Sequence, residues 1–299
     1  MEMSKAKIIA MVSNKGGDGK TTSCLNLAYG LSKSGKKVLL VDNDPQSNST
    51  SIVLGLSKSL TTQCAQEYKD TWQQLVDDGA DPFLASFQAL EQYVNKNDFD
   101  ADIHDVIEGS ASITDAIQTT KYEKLDILPA SHKLATSDLK LKSKLAGALS
   151  VLRKALKQVE DDYDYVIIDN QPFENSLTLN SLTACYKQGD LVVIPTKIDR
   201  GGLEGTYSTL NSCYNILDEE ELEFDVKLLI TMRNRNGVDM AWVQALKDTF
   251  GEAVFDSVIR YQAKPISTAS LNHQVVIEAF PSSPVSHDYQ SLVNEVLKG

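Results

Sequence analysis

Within its first 56 residues the chain runs from apolar strand through glycine-rich loop and helix to a second apolar strand, and that order leaves few folds open. Lys7–Ser13 is a β-branched, apolar run without polar alternation, which predicts a strand buried on both faces. Lys20–Lys33 sets Leu25, Ala28 and Leu31 at helical spacing, and Lys37–Asp42 (KVLLVD) is a second continuous apolar run. Such a succession is a βαβ unit on a parallel sheet. Asp164–Asp169 (DYVIID), Asp190–Pro195 (DLVVIP) and Phe224–Thr231 (FDVKLLIT) repeat the theme, each followed by a helical pattern; Leu125–Leu128 and Val254–Ile259 are shorter candidate strands. The expected fold is α/β: a doubly wound, mostly parallel sheet flanked by helices, with its site at the carboxyl ends of the strands.

The loop after the first strand reads Asn14-Lys15-Gly16-Gly17-Asp18-Gly19-Lys20-Thr21-Thr22. The phosphate-loop spacing GxxxxGK[ST] would put glycine where Asn14 stands, yet three glycines still let backbone N–H groups converge on an anion at a helix N-terminus. Lys20 offers a charge to β- and γ-phosphates, Thr21 a hydroxyl to Mg²⁺, and Thr22 a donor to the α-phosphate. The strand before and the helix after supply the context this motif requires, and ATP with Mg²⁺ is the expected ligand pair.

Between about residues 57 and 102 the alternation stops. Thr61–Asp78 and Pro82–Asn95 predict two polar helices joined by the turn Asp78-Gly79-Ala80-Asp81-Pro82. They carry Trp72, Leu75, Phe83, Phe87, Leu90 and Tyr93, which suit a hairpin packed on the sheet edge or, alternatively, a partner-binding or self-association surface. With no repeat or low-complexity linker in view, residues 1–299 are expected to form a single domain with this helical insertion. Net charge is −12, and the stretch 58–120 alone holds twelve acids against three lysines. Residues 121–157 hold nine basic side chains against three acids, so nucleic acid stays possible despite the acidic average. No apolar run reaches a membrane span, the N-terminus lacks a signal-peptide core, and the four cysteines have no metal-like spacing; a cytoplasmic protein with reduced thiols is expected.

The KGGxGKTT form of the loop, with Lys15 directly before the glycine pair, resembles the deviant Walker A signature of the ParA/MinD group of partitioning and cell-division ATPases. Asp42-Asn43-Asp44-Pro45-Gln46-Ser47-Asn48 is similar to the family's DxDPQGN segment, and Tyr163–Asp169 to its Walker B strand. Val193-Ile194-Pro195 with Leu203-Glu204-Gly205 resembles its VIP…LEG segment, and Leu229–Met232 its LLTM strand. The likeness is strongest to the ParA branch. It implies an ATPase in which Lys15 reaches across a nucleotide-sandwich homodimer, Asp44 polarises water or holds a Mg²⁺-bound water, and Asp169, in preference to Asp42, holds Mg²⁺ through water. Lys15, Lys20 and Asp44 form the expected catalytic set; residues 15–22 cradle the nucleotide. Three departures stand out: Asp18 between the glycines, Ser47 in place of glycine, and Asn170-Gln171-Pro172 in place of a proline pair. A carboxylate at position 18 should weaken ATP unless it points outward or binds a cation.

A ParA-type switch implies non-specific double-stranded DNA binding as an ATP dimer on the nucleoid, and hydrolysis stimulated by a ParB-like centromere-binding protein. Arg233, Arg235, Arg260 and Lys264 are the candidate DNA contacts. Lys140, Lys142, Lys144, Arg153, Lys154 and Lys157 could extend the patch along one helix whose buried face is Leu145, Leu149, Leu152 and Leu156. A MinD-like positioning ATPase would need a basic amphipathic C-terminal helix, whereas residues 286–299 hold two acids and one lysine, so no membrane partner is expected. A protein-directed ATP switch without DNA binding is the other alternative; a metabolic ligase or an iron–sulfur reductase is a third, the latter disfavoured because no cysteine pair suits a cluster. With the loop beginning at residue 15, no N-terminal helix-turn-helix domain is expected.

Overall fold

The computed structural model describes residues 5–56, 62–94, 99–143, 147–172 and 174–299. Seven strands, β1 (Lys7–Met11), β2 (Val38–Asn43), β3 (Gln118–Thr119), β4 (Leu125–Leu128), β5 (Tyr165–Asn170), β6 (Leu191–Lys197) and β7 (Asp225–Thr231), form one sheet in the order β3-β4-β2-β5-β1-β6-β7. Only the two-residue β3 runs antiparallel. The helices are α1 (Lys20–Lys33), α2 (Asn48–Leu54), α3 (Thr62–Asp77), α4 (Pro82–Val94), α5 (Ile103–Glu108), α6 (Ile113–Ala116) and α7 (Leu134–Ser143), then α8 (Val151–Leu156), α9 (Ser176–Ala184), α10 (Arg200–Glu219), α11 (Gly237–Phe250), α12 (Ala263–Leu271), α13 (Val276–Ala279) and α14 (Pro284–Lys298). The doubly wound expectation holds.

The central strands are buried on both faces because their side chains alternate between two cores. Ile8, Ala10, Leu39, Val41, Val166 and Ile168 face one side, with Leu152 and Leu177 from α8 and α9. Ile9, Met11, Val38, Leu40 and Ile167 face the other, with Leu27 and Leu31 of α1 and Tyr289, Leu292 and Val293 of α14. Truncating one of the larger of these chains to alanine costs about 2–5 kcal/mol. Helix α14 lies so close to α1 that a Cβ on Gly30 would sit 2.4 Å from Val293 Cγ2. Its apolar face is therefore spent on the core.

Three expectations fail here. Residues 254–259 form no strand, only isolated bridges (Leu228 with Val254, Arg233 with Arg260). The Glu295 carboxylate takes the N–H groups of Asp256 and Ser257 at 2.8 and 2.9 Å, donors that a ladder would need. The single basic helix is two helices: Gly147, at φ 72°, lies between α7 and α8. Lys144 and Leu145 lie outside the described residues. Of the row's other lysines, Lys140 pairs with Glu108, Lys142 bonds Asp138 at 2.8 Å, and Lys157 sits 4.4 Å over the Tyr186 ring. Finally, the α3–α4 hairpin does not lay its large apolar chains on the sheet. Ala85 and Ala89 are its buried positions, while Phe83 and Phe87 are 85% and 62% exposed.

Candidate functional site

β1 neighbours both β5 and β6, so the chain leaves in opposite directions at its carboxyl end and a crevice opens there. The loop 12–19 fills this point. Gly17 and Gly19 adopt φ of 86° and 84°, a left-handed conformation that a Cβ would strain, and Gly19 opens α1. Asn14 occupies the motif's usual first-glycine position and ties the loop to α10: its N–H donates to Thr209 Oγ1 at 3.1 Å and its amide to Ser208 Oγ at 2.9 Å. A residue that departs from the consensus thus serves as a strut.

Lys20 is buried, with its ammonium donating to the carbonyls of Lys15 (2.8 Å) and Ser13 (3.2 Å). Burial pushes its pKa down, and the nearby charges of Asp169, Asp18 and Asp44 pull it back up. Asp169 ends β5. Its Oδ2 accepts from Ser49 Oγ at 2.7 Å, and its buried Oδ1 accepts no well-formed hydrogen bond. Burial lifts this carboxyl to about 6, against the pull of the hydroxyls of Ser49 and Thr21. Asp42 sits beside it in register on β2, lifted to about 7 by burial and then by the Asp169 charge. Asp42 Oδ2 accepts from Thr50 N–H and Oγ1 at 2.8 and 2.7 Å, which makes it an anchor for α2. Asp44 follows, its Oδ1 accepting from Gln46 N–H at 2.8 Å.

Among the described residues no three His, Cys, Asp or Glu side chains converge to hold a metal by themselves. An ion here would share phosphate oxygens and water with Thr21, and the orphaned Asp169 Oδ1 suits a hard, hydrated cation such as Mg²⁺. Asp18 points neither outward nor into a salt bridge. Only 2% exposed, it accepts from Ser13 Oγ at 2.9 Å and leaves Oδ1 unpartnered. Burial raises its pKa, partly offset by the Ser13 bond and the charges of Lys15 and Lys20.

Lys15 is folded back. Its Nζ donates to Asp199 Oδ1 at 2.9 Å, while Lys197 Nζ bonds Oδ2 at 2.6 Å and Gly202 N–H bonds Oδ1 at 2.7 Å. Bonds from Lys197, Lys15 and Gly202 hold Asp199 well below the usual carboxylate range. Sequence reasoning missed this residue, although an Asp opening a helical pattern is an N-cap signal. It also missed an amide cluster at the strand ends. Asn43 Nδ2 donates to Asn170 Oδ1, Ser181 Oγ and the Leu177 carbonyl at 2.8, 2.9 and 3.0 Å, and Asn170 Nδ2 donates to the Met11 carbonyl at 3.1 Å. Asn170, one of the departures from the family pattern, thereby joins the strands that carry the loop, Asp44 and Asp169.

The basic candidates lie past β7. Thr231 Oγ1 donates to the Asp18 carbonyl at 2.9 Å, so the loop that follows is fastened to the phosphate loop. Arg233 and Arg260 exchange backbone bonds with their neighbours across a bridge, and Arg235 and Lys264 are exposed. Arg260, expected among the DNA-facing cations, is clamped instead: Nε and Nη2 bond both oxygens of Asp288 at 2.7 Å.

A family model described as the AAA domain matches residues 6–226. The sporulation initiation inhibitor protein Soj of Bacillus subtilis is 32% identical over 294 residues, covering 97% of this chain and 98% of that protein. The chromosome partitioning protein ParA of Caulobacter vibrioides is 26% identical, covering 99% and 96%. Among solved structures, an ATP complex of a McdA variant from Cyanothece superposes with a TM-score of 0.73 at 20% identity, over 99% of this chain and 97% of that one, which establishes the shared fold. The glycine loop, the lysine before it and a full-length match to Soj together show that the chain belongs to the ParA/MinD family of AAA-domain ATPases, on its ParA/Soj side.

Proposed function

We propose that this chain is a DNA partition ATPase: it binds Mg²⁺–ATP on residues 15–22, pairs as a homodimer through Lys15, binds duplex DNA without sequence preference, and hydrolyses ATP when a ParB-like centromere-binding protein engages it. The observation that carries this is the second lysine. Lys15 rests half-exposed on Asp199, at the surface of the phosphate loop, where a partner's triphosphate could draw it away. Lys20, Thr21 and Thr22 would hold the nucleotide in the same subunit. Mg²⁺, held by Thr21 and through water by Asp169, would neutralise developing phosphate charge; Asp44 would accept the proton of the attacking water. The relatives named for chromosome partitioning support DNA as the partner.

Coupling to DNA is supported by Thr231, whose bond to the Asp18 carbonyl ties the Arg233–Arg235 loop to the nucleotide site. Arg233, Arg235 and Lys264 are the contacts we infer, with Arg260 holding the loop in place through Asp288. A membrane-directed alternative finds less support, because the apolar face of α14 is packed on α1 and no helix among the described residues is long and apolar enough to cross a bilayer. Location on the nucleoid follows from the DNA reading. The test is a mobility shift on two unrelated duplexes with and without ATP. Binding should need ATP, treat both sequences alike and weaken steeply with salt. Removing one phosphate-binding cation, as in Arg235→Ala or Lys264→Ala, should lower the slope of log K against log salt by about 0.9. If the ATP state binds neither duplex at low salt, a protein-directed switch replaces this account.

A further inference from the structure

The hairpin α3–α4 takes no part in the site just described, and its outer face is unusual for a surface. Phe83, Phe87 and Leu90 follow one another at steps of four and three residues along α4, with Leu84 beside them, and all four are exposed. Such spacing draws one stripe along a helix. The opposite side of α4, through Ala85 and Ala89, is the side that packs on α3, where Trp72 Nε1 bonds the Pro82 carbonyl at 3.1 Å. The stripe therefore faces away from the rest of the hairpin. Contiguous exposed apolar side chains of this kind mark interaction sites.

Charge selects the occupant. Residues 62–94 hold Glu67, Asp70, Asp77, Asp78, Asp81 and Glu91 against Lys69 alone. Two such hairpins meeting face to face would repel, as would DNA or an anionic lipid surface within a Debye length of about 8 Å. An amphipathic segment with an apolar face and a cationic back satisfies both the stripe and the acids around it. We propose that the outer face of α4 is a docking surface for a cationic amphipathic helix supplied by a partner protein. This surface is separate from the DNA contacts, and its test needs neither nucleotide nor DNA.

The probe is a fluorescein-labelled 18-residue peptide with leucine on one helical face and lysine on the other, titrated into the full chain and followed by anisotropy. Two controls accompany it: the same peptide with glutamate for lysine, and a lysine peptide whose leucines are scattered around the helix. The first peptide should bind and the controls should bind at least ten-fold more weakly. Phe83→Ser/Phe87→Ser should weaken the first peptide at least ten-fold. Asp70→Asn/Asp77→Asn/Asp78→Asn should weaken it several-fold and flatten its salt dependence. All the substituted side chains are exposed, and an unchanged circular dichroism spectrum confirms that the variants fold. Equal binding of the glutamate peptide, variants that bind as the wild type does, or no binding at all would overturn the proposal. So would sedimentation showing that the wild type self-associates and that Phe83→Ser/Phe87→Ser abolishes it, since that would give the face to a second copy.

Discussion

At the carboxyl ends of β1, β2 and β5 the chain buries Asp18, Asp42, Asp44 and Asp169 around a single buried lysine; on α4 it holds two phenylalanines and two leucines in water. Each arrangement works against folding, the first because buried charge is costly, the second because exposed apolar surface gains nothing. They differ in how the cost is met. The acids are meshed with partners: Thr50 and Ser49 hydroxyls, Ser13, the Lys20 ammonium. The stripe on α4 has no such internal compensation. A site that must do chemistry is held by its own fold, whereas a surface that must meet another chain is left open, and the two should respond to substitution in opposite ways.

The sharpest division is in turnover. Asp44→Ala should cut steady-state ATP hydrolysis by about 10² to 10⁴, the range for loss of a positioned proton acceptor, while leaving nucleotide affinity nearly intact. Unchanged turnover would remove Asp44 from the chemistry. Next comes affinity. Lys20→Ala removes the buried ammonium that faces Asp169, Asp18 and Asp44, so it takes a phosphate ligand away and leaves three carboxylates without it. ATP binding by calorimetry should fall by roughly 10² to 10³-fold; a loss under ten-fold would mean that the loop amides alone carry the phosphates.

The third expectation concerns pH. An unfolded aspartate titrates near ~4, whereas burial and the Asp169 charge lift folded Asp42 to about 7. Between those values the folded state keeps a proton that the unfolded chain has released. Asp42 therefore stabilises the fold at low pH, and that contribution is lost as pH rises from about 4 through about 7. Asp42→Asn keeps an oxygen for the Thr50 N–H and hydroxyl and removes the titration. Its Tm should gain on the wild type by on the order of 5 °C between pH 5 and pH 8. Parallel Tm profiles for the two proteins would show that Asp42 is ionised throughout.

Much of the acid-rich site was legible because its signals are local. Gly17 and Gly19 are needed for left-handed backbone, Lys20 and Thr21 open a helix, and continuous apolar runs carry Asp42 and Asp169 to adjacent strand ends. What escaped depends on interactions between distant segments. Asn43 and Asn170 are 127 residues apart and read separately as polar ends of strands. Lys15 and Asp199 are 184 apart, and no pattern near either announces the pair. The hairpin failed for another reason: helical periodicity shows that Phe83, Phe87 and Leu90 share a face, but not whether anything covers it. On α14 the same kind of stripe is buried; on α4 it is not.

Asp18 sharpens the comparison on a smaller scale, because it is the acid whose cost is least well met. Its Oδ1 has no partner, and its charge lies beneath the loop that would hold the triphosphate. Asp18→Asn preserves the oxygen that accepts from Ser13 and removes the charge. ATP should bind about 3- to 10-fold more tightly, and ADP should gain less, because the γ-phosphate adds charge to be repelled. Equal gains for the two nucleotides, or none, would mean that the carboxyl is already protonated in the folded protein.

The smallest effect belongs to the hairpin, and its smallness is the point. Phe83→Ser/Phe87→Ser removes two aromatic rings, which in the strands of this sheet would cost several kcal/mol. Here the rings are 85% and 62% exposed, and the side of α4 that packs on α3 is made by Ala85 and Ala89. Little apolar area is buried on folding at either position, so the transfer contribution is nearly absent in the folded state and cannot be lost. Urea unfolding of the double variant should therefore give a stability within about 0.5 kcal/mol of the wild type and the same m-value. A loss above about 1 kcal/mol, or a lower m-value, would show that the rings pack against the chain. In that event the contrast between a site held by its own fold and a surface left for another chain would no longer stand.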